Sequence, residues 1–254
     1  MAVFIGTSGW SYRSWENGAF YPRGLPAISH LGFYATRFAA VETNSTFYGL
    51  PSTQTCRRWH DLTPPQFRFA IKASRLATHV KKLADPEIHL ARLLESVKPL
   101  GEKLAVILLQ LPPRWKQNLE RLHHLLEFLS AQTPPVRIAM EFRDASWLSR
   151  DSLALLRDHN AALVQSDHPD LRIETPPTAD FTYIRRHGPD SYPLKKLHHL
   201  ATLLECETNA RRDTFLFFNN DTSAFAPRNA QTLIKLLAKP EARRRPPCMI
   251  GKSC

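Results

Sequence analysis

Residues 136–143 read VRIAMEFR, and this stretch decides the fold. Side chains alternate between the two faces of a β-strand, so the apolar residues and the polar ones separate here onto opposite faces. The apolar face carries Val136, Ile138, Met140 and Phe142, and the other carries Ala139, Glu141 and Arg143. A buried strand that ends in chargeable groups is typical of α/β folds, whose active groups follow the strands.

Seven further runs share this apolar or alternating character, which predicts eight strands in all. The predicted strands are Val3–Gly9, Ala40–Thr46, Phe67–Ala73, Leu104–Leu111, Val136–Arg143, Ala161–Asp167, Phe181–His187 and Thr214–Asn220. Amphipathic helical patterns separate most of them, at Ile28–Ala39, Pro86–Val97, Leu119–Leu129, Ser152–His159, Leu194–Leu204 and Ala230–Leu237. Helix starts are predicted at Ser52, Asp85 and Ser149, whose side chains can accept from free N–H groups.

Strand and helix in alternation, about eight times, predict an α/β fold of the TIM-like (β/α)8 barrel type. The proline-rich segment 168–180, between the sixth and seventh strands, is predicted to be irregular. An open doubly wound sheet is the competing interpretation, but the turn GTSGW at 6–10 is not a GxGxxG turn, and no GxxxxGK[ST] segment occurs. We therefore expect one barrel domain over residues 1–238.

Composition sets the broad class of protein. The 254 residues are 43% hydrophobic, which is enough for a packed core, and carry a formal net charge of +11. No apolar run is long enough to cross a bilayer and no secretory signal is evident, so no membrane association is expected. The four cysteines form no CxxC pair, which favours neither a zinc knuckle nor a disulfide framework and predicts a cytoplasmic protein.

Beyond residue 234, six basic residues accompany a single acid, Glu241. Residues 239–254 are predicted to be a disordered basic tail, because the segment lacks apolar periodicity and contains two adjacent prolines. Such a tail could neutralise the phosphates of a nucleic acid, or it could be a solvated end without a role.

Polar residues cluster where the predicted strands end. In a barrel these ends meet at one opening, so we expect their side chains to converge there. We predict catalytic roles for Glu42, Lys72, Glu141 and His187. We predict substrate contacts for Trp10, Tyr12, Asn44, Tyr48, His79, Gln110, Arg143, Trp147, Asp167, Arg185, Asn219 and Asn220.

The chemistry of these residues leaves several roles open. Glu141 could be an acid/base group or simply the ion-pair partner of Arg143. Lys72 could be a base, an anion binder or a salt-bridge partner, because burial and a nearby carboxylate shift an amine's pKa in opposite directions. Oxygen and imidazole ligands at Glu42, Glu141, Asp167 and His187 could suit a metal, but no HxH, HExxH or DxD spacing supports one. We assign no metal site and no cofactor.

Seven ordered segments resemble the domain-of-unknown-function family 72, the YecE-like proteins. They are GTSGWSYRSWENGAFYP (6–22), VETNSTFYGLP (41–51), FRFAIKASRLATH (67–79), LLQLPP (108–113), AMEFRDASW (139–147), YIRRHG (183–188) and FFNNDTSAFAPRNA (217–230). The resemblance covers about residues 4–237 and implies a TIM-like barrel, but it assigns no activity. It implies no role for any matched residue, and the basic tail lies outside it.

Three classes of function remain from the sequence. The first is a barrel enzyme with acid/base or hydrolytic chemistry on a phosphate-bearing or nucleic-acid substrate, in which Lys72 and Arg143 hold the anionic group. The second is a carbohydrate-active hydrolase or isomerase that uses Glu42 and Glu141. The third is a module that binds nucleic acid or protein without turnover. The sequence does not specify an oligomeric state.

Overall fold

A computed structural model describes residues 1–238, and its strands are all parallel. The nine strands of this part of the chain are β1 (Val3–Thr7), β2 (Ala40–Thr43), β3 (Arg68–Lys72), β4 (Leu104–Gln110), β5 (Arg137–Glu141), β6 (Ala162–Leu163), β7 (Gln165–Ser166), β8 (Phe181–Arg186) and β9 (Asp213–Phe218). The α-helices are α1 (His30–Ala35), α2 (Ser45–Tyr48), α3 (Thr53–Asp61), α4 (Pro86–Val97), α5 (Leu119–Ser130), α6 (Arg150–Asp158), α7 (Leu194–Asn209) and α8 (Phe225–Leu237).

The strands form two sheets, a four-stranded one in the order β1-β9-β8-β7 and a five-stranded one in the order β2-β3-β4-β5-β6. The sheets approach each other at both edges. On one side, an isolated parallel bridge pairs Ser8, just after β1, with Glu42 of β2. On the other side, only Val164 separates β6 from β7, and its backbone N–H donates to Met140 O at 2.9 Å. The α/β architecture with parallel strands is thus confirmed.

The eight predicted strands are all present, and the sixth is divided into β6 and β7. The predicted helix over Pro86–Val97 has those bounds, and segment 168–180 contains no helix. Ser52 and Ser149 cap α3 and α6 by accepting from the N–H groups of Thr55 and Ser152. Asp85 is the residue before α4, which confirms the predicted helix start, but its side chain makes no capping bond, so the predicted side-chain cap is wrong. The basic tail, residues 239–254, lies outside the described residues.

The alternation of side chains along the strands divides the core into two clusters. It also determines which polar side chains at the strand ends lie on the side of the inner cluster. On β4, Val106 and Leu108 belong to a small cluster packed between the sheets, while Ile107 and Leu109 pack in the larger cluster with the helices. Gln110 continues the first of these two rows. The same inner cluster contains Ala139 of β5 and also Phe181 and Tyr183 of β8. Consequently Glu141 and Arg185, each two residues further on, extend from the inner cluster at the carboxyl ends of the strands.

None of the helices in residues 1–238 is long and apolar enough to cross a membrane.

We expect Lys103→Met to lower the free energy of unfolding by about 1.5–3 kcal/mol, because it removes hydrogen bonds from a charged donor. Lys103 is 3% exposed, and its Nζ donates to His60 O at 2.6 Å and to Thr63 O at 2.7 Å, just after α3. Urea unfolding measures the change. The control is Lys98→Met, since Lys98 is 73% exposed and pairs loosely with Glu95; equal effects of the two substitutions would contradict the prediction.

Candidate functional site

Arg185 occupies the centre of a buried ion-pair cluster at the carboxyl ends of the strands. The side chain is 1% exposed and reaches from β8 to the facing sheet. Its Nη2 pairs with Glu42 Oε1 at 2.7 Å, and its Nη1 pairs with Glu141 Oε2 and, at 3.2 Å, with Gln110 Oε1. The two carboxylates hold the pKa of Arg185 above its ordinary value in spite of burial, which would lower it. One guanidinium therefore joins three strands of the five-stranded sheet.

Glu42 has a hydrogen-bond partner on each carboxylate oxygen. Its Oε1 accepts from Ser8 Oγ at 2.7 Å in addition to Arg185, and its Oε2 accepts from Tyr183 Oη at 2.7 Å. The side chain is fully buried. An ionised carboxylate in such a place needs this set of donors, and the set leaves Glu42 no group directed toward solvent. Glu42 therefore has the contacts of a residue that fixes the strand ends relative to each other.

Glu141 is also fully buried, but only one of its oxygens is well satisfied. Arg143 Nη2 lies 2.6 Å from Oε1 and His187 Nε2 lies 3.5 Å from it, and neither forms an aligned hydrogen bond. Burial would raise the pKa of Glu141, but Arg185, His187 and Arg143 outweigh it and hold the pKa well below its usual range. Glu141 is therefore a permanent anion at neutral pH.

His187 follows β8 and is held through its ring and through its backbone. Asn219 Nδ2 lies 2.9 Å from His187 Nδ1, and the His187 backbone N–H donates to Asp167 Oδ1 at 2.7 Å. Because an amide nitrogen can only donate, Nδ1 must be the acceptor and the ring proton must reside on Nε2, facing Glu141. Burial lowers the pKa of His187 against the pull of Glu141, and Arg185 and Arg143 lower it further.

We expect His187 to be neutral at pH 7, with its proton on Nε2, and to gain a second proton only below its ordinary pKa of 6.5. The ¹⁵N chemical shifts of its ring nitrogens, followed from pH 7 downward, measure both properties. The ordinary imidazole pKa of 6.5 provides the reference. An Nδ1–H ring at pH 7, or uptake of the second proton at or above pH 6.5, would contradict the arrangement.

A cleft of about 520 Å³ opens beside this cluster, over β1, β2, β3 and β9. Volumes of this size are ordinary for small-molecule sites. Gly9 forms the turn at one wall with φ of 87°, and a Cβ at this position would meet the Tyr12 hydroxyl. The lining residues are Gly9, Trp10, Ser11, Tyr12, Asn44, Ser45, Tyr48, Lys72, Asn219 and Asp221. Six of the predicted site residues therefore share one cleft.

Lys72, the last residue of β3, is the cationic group of that lining. It is 9% exposed, and within residues 1–238 its Nζ makes no hydrogen bond or ion pair, lying instead 4.3 Å from the centre of the Phe47 ring. The Thr46 hydroxyl donates to the Lys72 carbonyl at 2.7 Å and fixes the backbone. Burial, with Arg185 and Arg143, lowers the pKa of Lys72 to about 8, against the pull of Glu42 and Glu141. A fraction of this amine is therefore unprotonated at neutral pH.

His79 also contacts Phe47, edge-on, with ring centres 5.0 Å apart. It lies in a π-helical turn, Leu76–Val80, and its Nδ1 is 2.9 Å from Thr78 Oγ1. Burial and the neighbouring charges of Lys72, Arg75 and Arg143 lower the pKa of His79 to about 4. His79 is therefore a neutral imidazole near Lys72.

Aromatic side chains form the outer part of the cleft. Tyr48 is 83% exposed, while Trp10 is partly buried and packs edge-on against Trp59. Tyr12 donates to Ser8 O, and burial together with the charge of Asp221 raises the pKa of its hydroxyl. Trp10 and Tyr48 therefore offer ring surface to a ligand, while Tyr12 is engaged with the protein backbone.

Three predicted contact residues have structural positions outside the cleft. Asp167 Oδ2 accepts from Tyr192 Oη at 2.6 Å, and Asn220 Nδ2 donates to Asp190 O at 2.8 Å, so both shape loops. Trp147 is fully buried, stacks on Phe142 and donates to Trp115 O at 2.7 Å. The ring of Trp147 therefore has no exposed surface in this structure, and its contact with a ligand remains a prediction.

Seven residues of the site were not among the predicted ones. Ser8 and Tyr183 bind Glu42, and Phe47 faces Lys72. The other four line the cleft: Gly9, Ser11, Ser45 and Asp221. Tyr183 lies two residues before Arg185 on one strand face, and Ser8 follows β1 directly, so alternation and strand-end position point to both. Phe47 reaches Lys72 through the short helix α2, for which the sequence has no comparable pattern.

The side chains of residues 1–238 include no group of three or more His, Cys, Asp or Glu residues arranged to hold a metal ion. Glu42 and Glu141 instead share Arg185 as their cation.

Comparisons with known proteins agree on one family. The sequence matches the family described as "Protein of unknown function DUF72" over residues 4–249, past the end of the motif series at residue 230. It is 23% identical to the UPF0759 protein YunF of Bacillus subtilis, with 92% of this chain and 94% of YunF aligned. It is 29% identical to the UPF0759 protein YecE of Escherichia coli over 131 residues, which cover 51% of this chain and 45% of YecE.

Solved structures give the same assignment. A DUF72 family protein of Thermotoga maritima superposes with a TM-score of 0.81 at 30% identity, covering 94% of this chain and all of that one. A DUF72 family protein of Enterococcus faecalis superposes with a TM-score of 0.77 at 21% identity, covering 92% and 95% of the two chains, and supports the fold alone. With the family match spanning nearly the whole sequence, this chain belongs to the DUF72 family of YecE- and YunF-like proteins.

Proposed function

We propose that this protein is an enzyme that moves a proton on a small phosphate-bearing substrate in the cleft, with Lys72 as the base. The observation that carries the proposal is the state of Lys72, a buried amine at the cleft floor with a pKa of about 8 and no ion-pair partner in residues 1–238. A base works best when its pKa lies near the working pH, and an amine reaches that range only through burial and neighbouring cations.

The proposal includes the fold. The protein would be the closed (β/α)8 barrel expected from the sequence, as a single domain over residues 1–238. The Ser8–Glu42 bridge and the one-residue interval between β6 and β7 support closure at both sheet edges. In such a barrel the carboxyl ends of all strands surround one opening, which is where active groups are found.

Lys72 offers an anionic substrate a cation without an ion-pair partner in residues 1–238. Arg143 and Arg185 balance Glu42 and Glu141, and Asp221 is the carboxylate among the lining residues of the cleft. Trp10 and Tyr48 supply ring faces, and Asn44 and Asn219 supply amides for hydroxyl groups. The cleft volume suits a sugar phosphate or a nucleotide better than a polymer.

The contacts of the two carboxylates count against the carbohydrate-hydrolase alternative. That mechanism needs one carboxyl group to protonate the leaving oxygen and a second to attack or to activate water. Glu42 and Glu141 are fully buried, do not line the cleft and are both paired with Arg185. Their proposed role is to position Arg185 and to set the charge around Lys72.

Deuterium exchange tests this function without knowledge of the product. The protein is incubated in D2O with a panel of triose, tetrose and pentose phosphates and of nucleoside monophosphates, and proton NMR reports loss of carbon-bound hydrogen. We expect exchange at a carbon beside the carbonyl of one sugar phosphate, and weaker binding as salt is raised. Binding without exchange across the panel would favour the non-catalytic alternative, and tight binding only of oligonucleotides would favour a nucleic-acid ligand; either overturns the proposal.

A further inference from the structure

The described chain contains two buried lysines, and they differ in how the ammonium group is held. Lys103 Nζ donates to three oxygen atoms: the backbone carbonyl oxygens of His60 and Thr63 and the Thr63 hydroxyl. Lys72 Nζ has no oxygen partner among residues 1–238 and rests against the face of Phe47. An amine that is only held by a ring face can turn its lone pair toward a ligand, whereas an amine bound by carbonyls remains a fixed cation.

The carboxylates nearest to Lys72 are already engaged. Arg185 forms ion pairs with both Glu42 and Glu141, and neither carboxylate forms an ion pair with Lys72. The titratable and charged groups that act on Lys72 are Arg185 from β8, Glu42 from β2, Glu141 from β5, Arg143 after β5 and His79 after β3. A nearby cation and a desolvating pocket are the two conditions under which a lysine becomes a nucleophile toward carbonyl carbon.

We propose that Lys72 forms an imine with the carbonyl carbon of the substrate, a hydroxy-aldehyde or hydroxy-ketone bearing a phosphate. This deepens the proposed function and rests on it for the place of the substrate, with Lys72 acting as the nucleophile that activates the C–H bond instead of as the base. The neutral Nζ adds to the carbonyl carbon, and the carbonyl oxygen leaves as water with both amine hydrogens. A carbon–nitrogen double bond replaces the carbon–oxygen one, with no change of oxidation state and no other reactant.

An imine also makes the proton transfer easier. Once protonated, it withdraws electrons from the neighbouring carbon and makes that C–H bond more acidic. Because Lys72 Nζ is then bonded to the substrate, it does not take up this proton; the neutral imidazole of His79, near Lys72, accepts it, and the C–H electron pair moves toward the imine to give an enamine. The polar lining of Ser11, Asn44 and Ser45 suits the hydroxyl groups of such a substrate.

Reductive trapping tests the imine. The protein is incubated at pH 7 with D-glyceraldehyde 3-phosphate, or with glycolaldehyde as the phosphate-free probe, and with cyanoborohydride, which reduces an imine to a stable secondary amine. Peptide mass spectrometry then gives the rate of modification at each lysine. We expect Lys72 to react about tenfold or more faster than the exposed Lys81 and Lys82, and glyceraldehyde 3-phosphate to react faster than glycolaldehyde.

Two comparisons make the result specific. Lys103, equally buried but bound by three oxygens, is expected to remain unmodified. The Lys72→Arg protein is expected to lose the fast modification while the rates at Lys81 and Lys82 are retained. Modification of Lys72 no faster than that of Lys81 and Lys82 overturns the imine.

The exchange assay separates the two proposals. Exchange without trapping at Lys72 keeps proton transfer and removes the imine. Trapping at Lys72 without exchange supports the imine and contradicts proton transfer as the reaction.

Discussion

The Arg185→Met protein is expected to lose about 3–5 kcal/mol of unfolding free energy at pH 7. Methionine fills a similar volume but leaves Glu42 and Glu141 buried without their shared cation. The cost comes from the stranded charges more than from the lost attraction, since the described cluster has no second cation within ion-pair reach of Glu42. Urea unfolding, followed by tryptophan fluorescence, measures the loss.

Two further proteins identify the cause. The triple variant Glu42→Gln, Glu141→Gln, Arg185→Met removes the stranded charges together with the arginine, and we expect it to be clearly more stable than Arg185→Met alone. Arg172→Met is the matched control, because Arg172 pairs with Glu174 at 2.8 Å but is 70% exposed, and surface pairs contribute about 0–1 kcal/mol. An Arg185→Met protein as stable as Arg172→Met would contradict the central position of Arg185.

The loss should depend on pH with a defined sign. In the wild-type protein the pKa of Glu141 is lowered, so its contribution to stability is present above its ordinary value of 4.5 and declines as the pH falls toward the lowered pKa. Without Arg185, burial favours the protonated carboxyl group, which stabilises the variant at low pH. The stability difference between the two proteins is therefore expected to shrink as the pH falls from 7 through 4.5. A difference that grew toward acid would contradict the ion-pair account.

Lys72→Met is expected to lower the exchange rate by about 100- to 10,000-fold, the range that a positioned general base contributes. Its stability should change by no more than about 1 kcal/mol, since the substitution removes a cation–ring contact and also the cost of burying an ammonium group. Lys72→Arg should be as inactive as Lys72→Met, because a guanidinium does not release its proton. Exchange rates and urea unfolding of the same preparations separate loss of chemistry from loss of fold.

The pH profile supplies an independent measure. Lys72 must lose its proton to act as a base or as a nucleophile, so wild-type exchange should rise with pH through about 8. Lys116→Met is the matched control: Lys116 is 79% exposed and pairs with Asp144 at 3.2 Å, and its loss should leave rate and profile unchanged. A rate that falls as the pH rises through 8, or full activity in Lys72→Met, would remove Lys72 from the mechanism.

The fold was largely predictable from the sequence because strand and helix periodicities differ. The alternation in VRIAMEFR identified β5, whereas β4 is a continuous apolar run whose two faces are separated only in the structure. The division of the sixth strand was not predictable, because Ala161–Asp167 reads as a single strand in the sequence. In the structure Val164 separates β6, in the five-stranded sheet, from β7, in the four-stranded one.

The site was predictable as a set of positions but not as a set of roles. Strand-end position identified Glu42, Lys72, Glu141 and Arg185, and the structure brings them together. Which residue pairs with which depends on distances across the strands, and these assign both carboxylates to Arg185 and leave Lys72 beside a ring. For Trp147, strand-end position did not even distinguish a binding surface from the core. An aromatic residue after a strand can stack on a ligand or pack in the core, and Trp147 is fully buried.

The ion pairs of Arg185 with Glu42 and Glu141 also limit which substitutions this sequence can accumulate during evolution. Exchanging any one member first produces a protein with an unmatched charge in its interior, and most such steps are selected against before a compensating change arrives. Substitution at these positions therefore requires that all three residues change together, or that an earlier mutation elsewhere has already made the protein more stable. Descendants of this chain are therefore expected to keep Arg185, Glu42 and Glu141 together.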